Sequence, residues 1–181
     1  MKALARLLLK MAGWKVNITV PDYHKCIICV APHTSNWDFI IGKLAYASVG
    51  RRAGFLMKDS WFVWPLGYFF RAIGGIPVSR RNKKRSLTDL IIEKFDASQE
   101  LTIAITPEGT RSRTTEWHTG FLRIARDAHV RIVLGAIDYS TKQVVIEKTF
   151  RPSDDFEADM RVIKEYYRPF KGKYPDKFAT E

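Results

Sequence analysis

Cys26-Ile27-Ile28-Cys29-Val30-Ala31-Pro32-His33-Thr34-Ser35-Asn36-Trp37-Asp38-Phe39 passes from an unbroken apolar run, through a proline and a polar cluster, into a helix-like stretch. Short apolar runs bounded by turn residues read as strands, so a strand is expected to end at Ala31 and a helix to begin near Trp37. The same alternation extends along the chain. Further strands are expected at Phe55 to Met57, Gly75 to Val78, Leu101 to Thr106, Ile132 to Ile137 and Gln143 to Phe150. Helices are expected at Leu4 to Gly13, Trp37 to Val49, Ser86 to Ala97, Trp117 to Ala128 and Phe156 to Tyr167, with another from Trp61 to Ile73 broken near Pro65. Strands alternating with helices predict an α/β fold, a single layered domain whose largely parallel or mixed sheet is flanked by helices. The last two strands could add an antiparallel edge.

The chain has 181 residues, 46% of them hydrophobic, which suits one domain with a real core and is too apolar for a disordered chain. Two cysteines cannot build a disulfide scaffold, so a cytoplasmic setting is the default. On a strand Cys26 and Cys29 point to opposite faces roughly 10 Å apart, which makes them core residues rather than a disulfide or half of a zinc site. Thirty Lys and Arg against 19 Asp and Glu leave a net charge of +11, which asks for nucleic acid, an anionic membrane surface or a phosphorylated substrate as partner. No stretch reaches the roughly 20 apolar residues that span a bilayer.

Residues 1–14 read as an amphipathic helix. Lys2, Arg6 and Lys10 recur every fourth residue, while Leu4, Leu7, Leu8 and Met11 fall on the other side, ahead of Trp14. Such a helix docks in a membrane interface or packs on its own core. The main domain is expected over 15–168, and residues 169–181, mixing prolines, glycine and lysines, read as a loosely ordered tail. The basic run Arg80 to Arg85 suits either a solvated loop before a helix capped by Ser86 and Asp89 or contact with nucleic acid or anionic lipid. Trp61, Phe62, Trp64, Tyr68, Phe69 and Phe70 fit a core or a membrane interface equally.

Two loops carry candidate chemistry. On one continuous helix His33 and Asp38 would lie about 140° apart. With His33 in the loop and Asp38 in the first helical turn, the carboxylate can reach Nδ1–H and leave Nε2 as a general base. Asp38 alternatively only completes a capping box with Ser35. In Thr106-Pro107-Glu108-Gly109-Thr110-Arg111-Ser112-Arg113 a tight turn follows a strand, with hydroxyls and guanidinium groups suited to a phosphate, and Arg80 could converge on the same anion.

Taken in order, His33-x4-Asp38, Gly75-Ile76-Pro77-Val78-Ser79-Arg80 and Pro107-Glu108-Gly109-Thr110-Arg111-Ser112 resemble the motif blocks of the glycerolipid acyltransferase family, most closely the 1-acylglycerol-3-phosphate (lysophosphatidate) acyltransferases. The resemblance runs from about Ala31 to Ala136. It implies transfer of an acyl group from acyl-CoA or acyl carrier protein to the free hydroxyl of a lysophospholipid, most directly 1-acylglycerol-3-phosphate giving phosphatidate. His33 would be the base, Asp38 its orienting partner, and Arg80, Glu108, Gly109, Thr110 and Arg111 the acceptor site. It implies no metal and no cofactor beyond the acyl donor, and, with the charge and the amphipathic helix, a peripheral enzyme on the cytoplasmic face of an anionic membrane. The family's fourth block usually carries prolines, whereas Val130-Arg131-Ile132-Val133-Leu134-Gly135 has none, and Pro77 and Ser79 stand where bulky apolar and acidic residues are common. Other readings are a basic nucleic-acid binding module, a non-catalytic binder of anionic lipid, and an acyltransferase acting on a non-glycerophosphate lipid.

Overall fold

The apolar run around Cys26 is the middle strand of a seven-stranded sheet. The computed structural model describes residues 1–78 and 86–181. Along the chain come α1 (Lys2–Met11), β1 (Lys15–Ile18), β2 (Lys25–Ala31), α2 (Asn36–Ser48), β3 (Gly54–Lys58), α3 (Leu66–Ala72), β4 (Gly75–Val78), α4 (Leu87–Ala97), β5 (Leu101–Ile105), α5 (Gly120–Asp127), β6 (Arg131–Asp138), β7 (Gln143–Phe150) and α6 (Phe156–Tyr167). The sheet order is β1-β7-β6-β2-β5-β3-β4, and every neighbouring pair is parallel except β6 with β7. This is the α/β layered fold with a mixed sheet and a leading helix that the sequence pattern implies.

Parallel strands buried on both faces need apolar side chains at successive positions, and β2 has them because it lies between β5 and β6. Ile27, Cys29 and Ala31 enter a core shared with α4, α5 and α6; Cys26 and Ile28 enter a second core shared with α1 and α2. Both cysteines are buried and free. The absence of proline from β6 also has a structural reason. Its residues pair with β2 on one side and β7 on the other, and a proline would delete a rung from one of these ladders.

Three elements differ from expectation. β1 is an edge strand of four half-buried or exposed residues, too short for its pattern to register. The helix expected from Trp61 is a 3-10 turn at Asp59–Trp61 followed, after Pro65, by α3. The helix expected from Trp117 starts at Gly120, because the His118 N–H donates to Pro107 O (2.8 Å) and ties that segment to the loop after β5. Arg80 and the rest of the basic run to Arg85 lie outside the described residues; Ser86 and Asp89 form the expected capping box.

Helix α1 packs on α2 through Ala5 and Leu9, while Leu4, Leu7, Leu8 and Met11 stay exposed. Arg6 Nε donates to Ser48 O at the end of α2 (2.8 Å). The aromatic segment is also largely on the surface: Trp61, Tyr68 and Phe69 are exposed, and Trp64 is 82% exposed. Among the described residues no helix is long and apolar enough to cross a membrane. Residues 169–181, for which composition suggests a loose extension, make specific contacts. Trp117 Nε1 donates to Ala179 O (3.2 Å), Phe178 packs on the Trp117 ring, and the Tyr174 N–H donates to Thr34 Oγ1 (3.2 Å).

Candidate active site

Because β2 and β5 are adjacent and parallel, the segments leaving their carboxyl ends emerge side by side. The first runs from Pro32 into α2. Ser35 caps the helix, its hydroxyl accepting from the Trp37 N–H (3.1 Å), and Asp38 Oδ2 reaches back to accept from the N–H groups of Thr34 (2.7 Å) and Ser35 (2.8 Å). The same oxygen lies 3.4 Å from His33 Nδ1. The two readings of Asp38 therefore coexist: it caps α2 and faces the imidazole at once. The side chain of Asp38 is 2% exposed and that of His33 is 21% exposed, so the carboxylate is enclosed while the ring is open on one side.

Burial alone would raise the Asp38 carboxyl, but hydrogen bonds from His33, Tyr139 and the backbone of Ser35 and Thr34 outweigh it and hold the group below its ordinary value. Tyr139, just past β6, donates its hydroxyl to Asp38 Oδ1 (2.7 Å). The sequence alone does not single out this residue. It lies 101 positions from Asp38, and no local spacing announces the contact.

The second segment brings Glu108 under His33. Glu108 Oε1 accepts from the His33 backbone N–H (2.7 Å), and the residue is 2% exposed. Gly109 follows with φ of 65°, and a Cβ there would meet the His118 ring at 2.5 Å, so only glycine fits without rearrangement. Thr110 Oγ1 accepts from the Ser112 N–H (3.1 Å), and Arg111 is exposed on the same loop. His33, Asp38, Glu108 and Gly109 are thus brought together. Thr110 and Arg111 lie on the adjoining turn, and Arg80 is outside the described residues.

Burial, with a smaller contribution from the Asp38 charge, pushes the Glu108 carboxyl up from 4.5 to about 8, against the downward pull of the His33 N–H. The folded protein therefore binds this proton more tightly than the unfolded chain, and ionising Glu108 costs stability as pH rises from about 4.5 through about 8. Glu108→Gln keeps an acceptor for the His33 N–H and does not titrate. Thermal melts from pH 5 to 9 should show the wild type losing stability relative to Glu108→Gln across that window, by on the order of 3–5 kcal/mol. Parallel curves would contradict the assignment.

Behind His33 an apolar cavity of about 1000 Å³ extends between α2 and the sheet. His33, Asp38 and Gly109 line it together with Gly42, Tyr46, Ile28 and Ile137. Asp38, Gly42 and Tyr46 recur every fourth residue on one face of α2, so the cavity follows that face along the helix. Among the described residues no group of three or more His, Cys, Asp and Glu is placed to hold a metal ion.

An imidazole backed by a buried carboxylate can take a proton from a hydroxyl, and an adjoining apolar cavity can hold a hydrocarbon chain. Among solved structures, the 1-acyl-sn-glycerophosphate (LPA) acyltransferase PlsC from Thermotoga maritima is similar to this chain, with a TM-score of 0.62 over 93% of this chain and 77% of that one, at 17% identity. At that identity the likeness is one of fold. No curated protein matches significantly. The family model described as Acyltransferase matches residues 15–138, which hold both site loops and most of the sheet beneath them. By that match, well over half its length, the chain belongs to the acyltransferase family.

Proposed function

We propose that this acyltransferase moves an acyl group from an acyl thioester, acyl-CoA or acyl carrier protein, to the free hydroxyl of a lysophospholipid, and that 1-acylglycerol-3-phosphate is the acceptor, giving phosphatidate. The observation that carries the reading is His33 at the mouth of an apolar cavity, beside Asp38 and next to the Glu108 to Arg111 turn. With Nδ1–H directed at Asp38, the lone pair on Nε2 is available. Nε2 takes the acceptor's hydroxyl proton as that oxygen attacks the thioester carbonyl carbon. The tetrahedral intermediate collapses, the C–S bond breaks, and the imidazolium returns the proton to the departing thiolate. No acyl-enzyme forms. The cavity receives a fatty chain, and Arg111, with Arg80 by its motif position, grips the acceptor phosphate.

The surface supports a lipid partner. α1 presents Leu4, Leu7, Leu8 and Met11 without cover, and Trp37, next to the site, is exposed beneath Lys173, whose Nζ is 5.3 Å from its ring centroid. Exposed leucines and tryptophans beside cations suit an anionic interface, and the +11 net charge adds attraction. The enzyme accordingly works as a peripheral protein on the cytoplasmic face. Residues 1–14 serve as the docking helix, 15–168 as the acyltransferase domain and 169–181 as a tail.

Acceptor comparison tests the reading. In vesicles with one acyl donor, lysophosphatidate should be used with higher kcat/KM than lysophosphatidylcholine or monoacylglycerol; equal use of all three would remove the phosphate from the account. Arg111→Ala should raise the acceptor KM by about 10–100-fold with kcat nearly unchanged, because a phosphate grip acts on ground and transition states alike. An unaltered acceptor KM would assign the phosphate to other residues.

A further inference from the structure

Asp38 holds its two oxygens differently. Oδ2 faces His33 and the N–H groups of Thr34 and Ser35, whereas the hydrogen bond to Oδ1 comes from the Tyr139 hydroxyl (2.7 Å). A carboxylate fixed at one oxygen can still turn about its last torsion; a donor on the other sets its plane. Tyr139 is itself held from several sides. Its ring meets Trp14 edge-on with centroids 5.0 Å apart, and its N–H donates to Lys171 O (2.9 Å). The Lys171 N–H donates to Asp138 Oδ1 (3.2 Å). Three residues further, the Tyr174 N–H donates to Thr34 Oγ1, and Gly172 lies so close that a Cβ there would stand 2.8 Å from that oxygen. Residues 171–174 thus brace Tyr139 and the His33 loop together. Burial and the neighbouring Asp38 keep the Tyr139 phenol protonated, hence a donor at all ordinary pH values.

We propose that Tyr139, braced by residues 171–174, is a positioning residue that fixes the Asp38 carboxylate against His33. Tyr139 and its brace lie past residue 138, where the family match ends, so this support belongs to the chain's own C-terminal part. The inference rests on His33 and Asp38 acting as proposed above, and its test separates the two.

The comparison uses wild type, Tyr139→Phe, Asp38→Asn, the double variant and His33→Ala, with folding followed by circular dichroism and thermal melting. Tyr139→Phe should lower kcat by about 10–100-fold, as expected for a hydrogen bond to a charged group, with donor and acceptor KM changed by no more than about twofold. It leaves more carboxylate charge facing the imidazole, so the acid limb of kcat/KM should move to higher pH. In the Asp38→Asn background it should cost little further. A full additional loss in that background, a loss confined to KM, or no loss at all would overturn the role of Tyr139. If Tyr139→Phe does not fold, 3-fluorotyrosine in place of Tyr139 keeps the shape with a stronger donor and should move the acid limb to lower pH; an unmoved limb would overturn the proposal. Retained activity in His33→Ala would instead remove the underlying mechanism, whatever Tyr139 does.

Discussion

Replacing His33 with alanine is expected to lower acyl transfer by about 10³–10⁴-fold while the protein stays folded. A general base contributes roughly 10²–10⁴ by itself, and in the proposed mechanism the same nitrogen also returns the proton to the leaving thiolate. Fold retention follows from where the side chain sits. Its ring contact is with Asp38 at 3.4 Å, it is partly open to solvent, and the backbone N–H that Glu108 accepts from survives the substitution. Asp38 keeps its bonds from Thr34, Ser35 and Tyr139, so the α2 cap remains formed. Initial rates with acyl-CoA and lysophosphatidate, beside thermal melts, check this. A folded variant with near-normal rates would exclude His33 as the base.

The second large effect is expected at Gly42. It lies one turn along α2 from Asp38, lines the cavity, and a Cβ there would meet Ile137 Cδ1 at an ordinary 3.6 Å. Glycine inside a helix costs about 1 kcal/mol relative to alanine, so its presence calls for space rather than stability. A leucine at this position reaches into the cavity without breaking the helix. Excluding two to four methylenes of a bound chain, at about 0.8 kcal/mol each, should lower kcat/KM for long-chain donors by roughly 10–200-fold while short-chain donors keep theirs. A donor series from eight to eighteen carbons, run on wild type and Gly42→Leu, reads this directly. An equal loss at every chain length would mean that the acyl chain lies elsewhere.

The parts of the molecule that were legible in the sequence are those written by local pattern. β2 announces itself because burial on both faces demands an unbroken apolar run, and the α2 cap because Ser35 and Asp38 stand three residues apart. The turn after β5 declares itself through Gly109, where the backbone and the His118 ring admit no side chain. What stayed hidden depends on distant residues meeting. Tyr139 is an unremarked tyrosine until the β2–β6 pairing sets the end of β6 beside the end of β2. The cavity arises from the stand-off between α2 and the sheet, which no spacing encodes. The fate of the leucines on α1 was open for a similar reason. An amphipathic pattern does not say which stripe packs, and here Ala5 and Leu9 do, leaving Leu4, Leu7, Leu8 and Met11 outside. The aromatic segment from Trp61 to Phe70 is equally ambiguous from pattern alone, and it lies largely on the surface.

Direct acyl transfer to a phosphorylated lipid fixes the stoichiometry of its products, and that stoichiometry is the decisive measurement. Purified enzyme is incubated with an acyl thioester and 1-acylglycerol-3-phosphate in vesicles, free thiol is titrated, and the lipid is identified by mass spectrometry. One thiol should be released for each phosphatidate formed, with both products lost in His33→Ala. Thiol released without acylated lipid, or phosphatidate formed at the wild-type rate by His33→Ala, would contradict this mechanism.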